Sequence, residues 1–210
     1  MNQFGQLLDG YRRFRDERYA GERARWRELA EGQSPAAIII ACCDSRADPA
    51  TIFDANPGEI FVVRNVANLV PPFEQGGGRH GVSAALEFAV TQLEIPEIVV
   101  MGHERCGGIQ ASLTGQFADA AAGEGGFIAQ WMQVLERPRE AIVAEHGMGP
   151  DAAMLLEEAG IRQSLANLRT FPFVAEREAA GKLSLHGCLF SIFKGQLFLL
   201  DEAEGSFHPA

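Results

Sequence analysis

The segment that decides the fold is Ala36–Ala41, which reads AAIIIA and runs directly into Cys42-Cys43-Asp44-Ser45-Arg46. A short apolar run of this kind is typical of a strand that is buried on both faces. Two later runs have the same character, Ile60–Val63 (IFVV) and Ile98–Met101 (IVVM). We therefore predict three buried strands in the first half of the chain.

Helical segments alternate with these strands. Gly81–Leu93 places its apolar residues on one side at helical spacing, which predicts a helix. The remaining predicted elements are helices at about residues 107–114, 126–136, 138–146 and 151–170 and strands at Leu183–Leu189 and Leu197–Leu200. This alternation indicates an α/β protein with a mostly parallel β-sheet, in the order 2-1-3-4 with a further edge strand, flanked by helices.

The start of the chain is rich in charge and in helix-forming residues. Residues 2–31 predict a long helical segment, broken near Gly21, whose apolar side chains need a docking surface to be stable. We divide the chain into an N-terminal helical arm at residues 1–32, expected to dock on a partner subunit, and a single α/β domain at residues 33–210. Within that domain, Gly76–Gly78 predicts a short flexible turn.

Charge and hydropathy argue against several classes of partner. The 210 residues carry a formal net charge of −10 with a pI of about 5.0, whereas a nucleic-acid-binding protein needs a basic face. The same acidity disfavours an anionic membrane surface. The longest apolar stretch, about Ala36–Cys43, is far shorter than the roughly 20 residues of a membrane span, and the N-terminus lacks the apolar run of a signal peptide. We expect a soluble, cytoplasmic protein that binds neither nucleic acid nor membrane.

Soft metal ligands follow two of the predicted strands. Cys42 ends the first, and the segment after the third reads Gly102-His103-Glu104-Arg105-Cys106-Gly107-Gly108. In such sheets ligands bind beyond the carboxyl ends of the strands, where the strand order reverses, so these residues are expected to meet at one site. Two thiolates and one imidazole select Zn2+, and three protein ligands leave a fourth position open, as in catalytic zinc sites. We predict that Cys42, His103 and Cys106 hold zinc.

Each motif alone leaves a structural interpretation open. A His-x-x-Cys segment also fits a buried histidine beside a structural cysteine, and Asp44-x-Arg46 also fits a helix-capping carboxylate with a surface ion pair. Of the four cysteines, Cys43 is expected to point to the opposite face of the strand from Cys42, and Cys188 is expected to be a buried thiol on a later strand. We assign neither Cys43 nor Cys188 to the metal.

Taken together, the motifs resemble those of the β-class carbonic anhydrases. That family carries Cys-x-Asp-x-Arg at the end of the first strand and Gly-His-x-x-Cys-Gly after the third, and this chain has ACCDSR and GHERCGG. The stretches Pro57–Phe73, Gly81–Val90 and Ser164–Val174 are similar to the family as well, so the resemblance covers about residues 30 to 200. Gln33 lies nine residues before Cys42, and the plant-type branch of the family carries a glutamine at the same spacing, so the chain resembles that branch.

The resemblance implies an apolar pocket for CO2 and bicarbonate, lined by Phe61, Val66 and Phe88. Phe88 departs from the family, in which a tyrosine is common at that place, so any role of that hydroxyl is absent. Gln33 is implied as an amide donor to a substrate oxygen. In the family this glutamine tends to come from the adjoining subunit, so the resemblance implies a homodimer or a higher even-numbered homo-oligomer.

The implied activity is the reversible hydration of CO2 to bicarbonate and a proton by a zinc-bound hydroxide. Zinc lowers the pKa of a bound water from 15.7 toward about 7. Asp44 is implied to accept the hydrogen bond of that hydroxide, and Arg46 to keep Asp44 ionised and fixed. Gly107 and Gly108 follow the third ligand and open a predicted helix, whose free N–H groups favour an anion such as bicarbonate.

Two other functions fit parts of the same pattern. Hydrolysis of carbonyl sulfide or carbon disulfide needs the same ligands and differs only in pocket shape or access. A non-catalytic, zinc-stabilised dimerisation or redox-sensing module would need a closed four-ligand site or a disulfide. Such a module would not explain the presence of Asp44, Arg46 and Gln33.

Overall fold

The structure is a computed structural model that describes residues 2–76, 78 and 80–210. Gly77, in the predicted turn at residues 76–78, lies outside the described residues. A six-stranded sheet with the order β2-β1-β3-β4-β5-β6 organises the part of the chain after residue 34. Its strands are β1 (Ala37–Cys42), β2 (Ile60–Asn65), β3 (Glu97–His103), β4 (Ser184–Ser191), β5 (Gln196–Asp201) and β6 (Ser206–Pro209).

The predicted strand order is confirmed. β2, β1, β3 and β4 are parallel, and β5 and β6 add an antiparallel edge. The short polar strand β6 was not predicted, because Ser206–Pro209 has no apolar run and is specified by pairing with β5. The first and third strands extend beyond the predicted apolar runs, so Cys42 and His103 are the last residues of β1 and β3.

In the described residues, two helices precede β1 along the chain and seven lie between the strands of the sheet in sequence. They are α1 (Gln3–Arg13), α2 (Arg23–Glu31), α3 (Pro49–Ile52), α4 (Gly81–Glu87), α5 (Gly107–Thr114), α6 (Gly126–Met132), α7 (Glu136–His146), α8 (Pro150–Leu168) and α9 (Pro172–Ala179). The predicted helix at Gly81–Leu93 continues past α4 as a π-helical turn at Phe88–Gln92. The helix α9 was not predicted. None of the helices in the described residues has the length and apolar character needed to cross a membrane.

Contacts divide the chain into one unit that ends at Ser34 and another from Pro35 to Ala210. In the first unit, α1 continues as a π-helix at Phe14–Tyr19, and a turn at Glu22 precedes α2. The rings of Phe14 and Trp26 meet edge to face with centroids 5.5 Å apart, which closes this unit on itself.

The sheet places α8 close to the strand ends. Ile161 on α8 packs so tightly on the sheet that a Cβ atom at Gly102 would lie 2.8 Å from its Cδ1 atom, and one at Gly187 would lie 2.8 Å from its Cγ2 atom. A side chain at either position would have to displace Ile161. Glu157 lies one turn before Ile161 on the same face of α8, which brings its carboxylate to the carboxyl end of β3.

Candidate metal centre

Three buried donor groups meet where β1 and β3 end. Cys42 and His103 are the last residues of their strands, and Cys106 immediately precedes α5. Their donor atoms lie within 4.8 Å of one another, and the two sulfur atoms are 3.9 Å apart. Two thiolates bound about 2.3 Å from a tetrahedral zinc ion are separated by about 3.8 Å, so the pair already has the spacing that zinc requires. In the described part of the chain, this is the one group of three or more such residues that could hold a metal ion.

The imidazole of His103 is oriented for coordination. Its Nδ1 atom donates to the carbonyl oxygen of Glu104 over 3.0 Å, which leaves Nε2 as the free nitrogen. That Nε2 atom is buried and has no hydrogen-bond partner among the described residues. A buried polar atom without a partner is unfavourable, and a metal ion would satisfy it.

The two thiols differ in acidity because they interact. A hydrogen bond from Cys106 lowers the pKa of Cys42, and the same interaction, with burial, raises the pKa of Cys106. One thiolate is therefore favoured before a cation arrives, and a cation would favour the second. Cys188 is buried, as the sequence predicted, and Cys43 is exposed.

Asp44 and Arg46 form a bidentate pair beside these ligands. Arg46 donates from Nε to Asp44 Oδ1 over 3.0 Å and from Nη2 to Asp44 Oδ2 over 2.7 Å. These bonds, with one from the backbone N–H of Arg46, hold the pKa of Asp44 well below its usual range. Asp44 Oδ2 lies 3.9 Å from His103 Nε2. Asp44 does not cap a helix, because the cap of α3 is Asp48.

Arg64, for which the sequence pattern indicated no role, fixes the loop that carries Asp44. Its guanidinium donates to the carbonyl of Cys42 over 2.9 Å, to the carbonyl of Asp44 over 2.6 Å and to the carboxylate of Asp48 over 3.0 Å. The available signal was a single cation inside the apolar strand β2, opposite Ala41 in the register of the parallel pair.

Glu157 was also missed. It is 6% exposed, and its Oε1 atom accepts a hydrogen bond from the backbone N–H of Cys106 over 3.0 Å. Burial raises the pKa of this carboxyl group, and the bond from Cys106 opposes that rise. The signal was an acidic residue on the otherwise apolar face of α8, one turn from Ile161.

Comparison with known proteins assigns this geometry to a family. The family model described as carbonic anhydrase matches residues 37–197, which contain all three donor residues. The chain belongs to the β-class carbonic anhydrases. It is 37% identical over 203 residues to a carbonic anhydrase of Pseudomonas aeruginosa, covering 96% of this chain and 89% of the relative. It is 36% identical over 186 residues to the chloroplastic beta carbonic anhydrase 5 of Arabidopsis thaliana, covering 88% of this chain and 60% of the relative.

Solved structures support the same family assignment. The beta-carbonic anhydrase CcaA superimposes with a TM-score of 0.91 at 30% identity, covering 99% of this chain and 92% of that one. A tetrameric beta-carbonic anhydrase of Sordaria macrospora superimposes with a TM-score of 0.79 at 27% identity, covering 95% of this chain and 98% of that one. The enzyme class, carbonic anhydrase, is therefore that of the family, whose reaction interconverts CO2 and bicarbonate.

In this β-class carbonic anhydrase, Val66 lies on a rigid turn that follows β2. Asn65 closes the turn by accepting from the N–H of Leu69 and donating to its carbonyl, both over 2.9 Å. Ala67 has a φ of 65°, a left-handed conformation that a non-glycine residue adopts only where the surroundings hold it. Trp131 donates from Nε1 to the carbonyl of Val66 over 2.8 Å.

The glycines after Cys106 permit a close approach of α5 to this turn. A Cβ atom at Gly108 would lie 2.7 Å from Val66 Cγ1, so a side chain there would displace either Val66 or the start of α5. A Cβ atom at Gly107 would meet nothing within 4 Å. Gly108 therefore joins Val66 to the segment that carries the third donor, whereas Gly107 leaves space at the start of the helix.

Phe61 and Phe88, which were also assigned to the substrate pocket, are not gathered at the metal centre of the same chain. Phe61 pairs with Ile38, four residues before the end of β1, which is about 13 Å back along the strand. The rings of Phe61 and Phe88 stack with centroids 6.2 Å apart, and Phe88 is 47% exposed. Gln33 belongs to the unit that ends at Ser34.

Proposed function

We propose that this chain catalyses the reversible hydration of CO2 to bicarbonate and a proton, with zinc held by Cys42, His103 and Cys106. The observation that carries the proposal is the arrangement of three buried donors, with the bidentate Asp44–Arg46 pair beside them. Two sulfur donors and one imidazole favour zinc over the hard cations. The unpartnered Nε2 atom of His103 fits the same ion.

When bound, zinc lowers the pKa of a water molecule toward neutrality and so supplies the nucleophile. Asp44 would accept the hydrogen bond of that water, because its Oδ2 atom lies 3.9 Å from Nε2 of His103, the nitrogen free to bind the ion. Its ionised form can only accept, which fixes the orientation of the donor. Arg46 keeps Asp44 ionised and, through a further bond from Nη2 to the carbonyl of Arg105 over 3.1 Å, attaches it to the loop of the third ligand.

The substrate pocket is proposed to be completed by a second copy of the chain. Val66, Gly107 and Gly108 lie beside the donors of their own chain, where the first N–H groups of α5 suit an anionic product. Phe61 and Phe88 pack together elsewhere, with Phe88 exposed, and are proposed to line the pocket of the partner together with Gln33.

We further propose that the helical arm at residues 1–32 docks on the partner subunit, in a homodimer or a higher even-numbered homo-oligomer. No residue of α1 or α2 is buried, and Phe4 and Leu7 are 64% and 70% exposed, which leaves apolar surface to cover. The relative from Sordaria macrospora is a tetramer. A cytoplasmic location is proposed from the sequence alone.

Parallel assays of the zinc-loaded protein test the reaction. Stopped-flow CO2 hydration is compared with sulfide release from carbonyl sulfide and carbon disulfide under the same conditions. Catalysis of CO2 hydration with at most a trace of sulfide release is the expected result. Sulfide release without CO2 hydration would show that the site hydrolyses carbonyl sulfide or carbon disulfide instead. The absence of both activities at full zinc occupancy would favour a structural zinc module.

A further inference from the structure

A second cavity lies at the opposite end of α5 from Cys106. It has a volume of about 220 Å3 and is enclosed by α5, α6, α7 and the loop that follows α5. Its lining includes Ala111, Ser112, Phe117, Ile128, Met132 and Arg139. None of the metal-centre residues lines this cavity.

Arg139 is the unusual member of the lining. Its Nε atom is buried and has no hydrogen-bond partner among the described residues, and no carboxylate of those residues lies within 4.0 Å of its guanidinium. Glu136 also lines the cavity, but it is exposed and makes no ion pair with Arg139. The side chain of Arg139 as a whole is partly exposed, but its Nε–H group is buried without an acceptor, which is unfavourable. The guanidinium is therefore suited to an anion that enters the cavity.

The remaining walls define what kind of anion fits. Phe117, Ile128 and Met132 offer apolar surface, and Ser112 offers a hydroxyl group for which the described residues provide no hydrogen bond. Arg139 is the single cation of the lining residues, whereas a phosphate dianion generally requires several donors of positive charge. A guanidinium binds a carboxylate with two parallel hydrogen bonds.

We propose that this cavity binds a small organic carboxylate, with the carboxylate on Arg139 and an apolar body against Phe117, Ile128 and Met132. The site is separate from the metal centre, and the proposal does not rest on the proposed function. α5 links the two places, since it begins directly after Cys106 and ends at Thr114, just before Gly115, which lies beside Arg139. Its eight residues span about 12 Å.

Methionine-methyl NMR of the purified full-length protein tests the site locally, because carboxylates could also reach the metal centre. Met132 lines the cavity and is 6% exposed, whereas Met148 and Met154 are 64% and 50% exposed and serve as internal controls. Benzoate is expected to shift the Met132 methyl resonance, assigned with Met132→Leu, in a saturable way. Benzamide, its uncharged analogue, and inorganic phosphate are expected to leave it in place.

Arg139→Gln is expected to weaken the benzoate response at least tenfold. Arg137→Gln removes an exposed guanidinium from the same helix outside the cavity and should leave the response unchanged. A Met132 resonance that does not move with benzoate, or that moves equally with benzamide or phosphate, would overturn the proposal. The comparison of benzoate with benzamide and phosphate uses the wild-type protein, so it tests the carboxylate site even if Arg139→Gln fails to fold.

Discussion

The carboxylate of Glu157 accepts a hydrogen bond from the backbone N–H of Cys106 over 3.0 Å, so the longest helix of the described chain holds the third of the three candidate donors. The contact is buried, with both residues less than 7% exposed. Side chains near a metal that bind no metal themselves still fix the position of those that do. Glu157 is therefore expected to determine how well the site is formed before zinc binds.

Replacing Glu157 with leucine should destabilise the protein and weaken zinc binding. The change leaves the buried N–H of Cys106 without an acceptor, which costs about 1–3 kcal/mol. Urea unfolding of the zinc-free protein and competition with a chelator measure the two effects. Glu158→Leu on the same helix removes only the partly exposed pair with Arg162 and should change either quantity by less than about 1 kcal/mol. Equal effects of the two substitutions would show that the Glu157 contact has no special role.

Cys106→Ser should purify without zinc and without activity. Two strong donors remain in the site, which is too few to retain the ion against a chelator. Metal analysis by mass spectrometry measures the content, expected to be about one zinc per chain in the wild type. Cys43→Ser is the matched control, because that thiol is exposed and should be dispensable for zinc. Full zinc occupancy in Cys106→Ser would mean that the ligand set is wrong.

Arg46→Ala and Asp44→Asn should each keep zinc and lose about 10²-fold or more in CO2 hydration. Their losses should not add in the double variant, because the two side chains act as one unit. Arg105→Ala is the control, since its side chain is 82% exposed and the carbonyl that Arg46 uses remains. A CO2 hydration rate close to that of the wild type in either single variant, with zinc retained, would refute the proposed role of the pair.

The Asp44–Arg46 pair also predicts how stability and the rate of CO2 hydration depend on pH. Because Arg46 lowers the pKa of Asp44, this carboxylate stays ionised at neutral and alkaline pH. Its contribution to folding stability is present above the unfolded value of about 3.9 and is lost as the pH falls below it. The acid limb of the wild-type pH–rate profile should therefore come from a group other than Asp44. It should persist in Asp44→Asn at a lower rate and, if it moves, move to lower pH, because the substitution removes a negative charge beside the metal position. An acid limb that is abolished in Asp44→Asn would contradict this.

Deleting residues 2–31 should weaken the oligomer and lower the activity together. The deleted segment contains the exposed side chains of Phe4 and Leu7, and Gln33 follows it closely. Sedimentation velocity and CO2 hydration on the same sample measure both properties, and circular dichroism checks that the remaining domain is folded. A fully active monomeric truncation would refute the assembly proposal.

The sequence was sufficient for the strand order and for bringing the three donors together, because Cys42 directly follows one apolar run and His103 follows another after Gly102, and the ends of these runs must meet in a parallel sheet. It was insufficient for Arg64 and Glu157. Their partners, the loop after Cys42 and the N–H of Cys106, are fixed by strand register and by the packing of Ile161 on Gly102, which no local pattern encodes. The separation of Phe61 from the metal centre likewise follows from register rather than from residue type.

Stopped-flow CO2 hydration, normalised to measured zinc content, decides whether the three donors form a catalytic zinc site. A series of samples with increasing zinc occupancy is prepared by partial chelation and reloading. We expect a rate that rises in proportion to bound zinc, is lost on complete removal and returns on reloading. A fully zinc-loaded, folded protein that hydrates CO2 no faster than buffer, or one whose rate is independent of zinc content, would contradict this expectation.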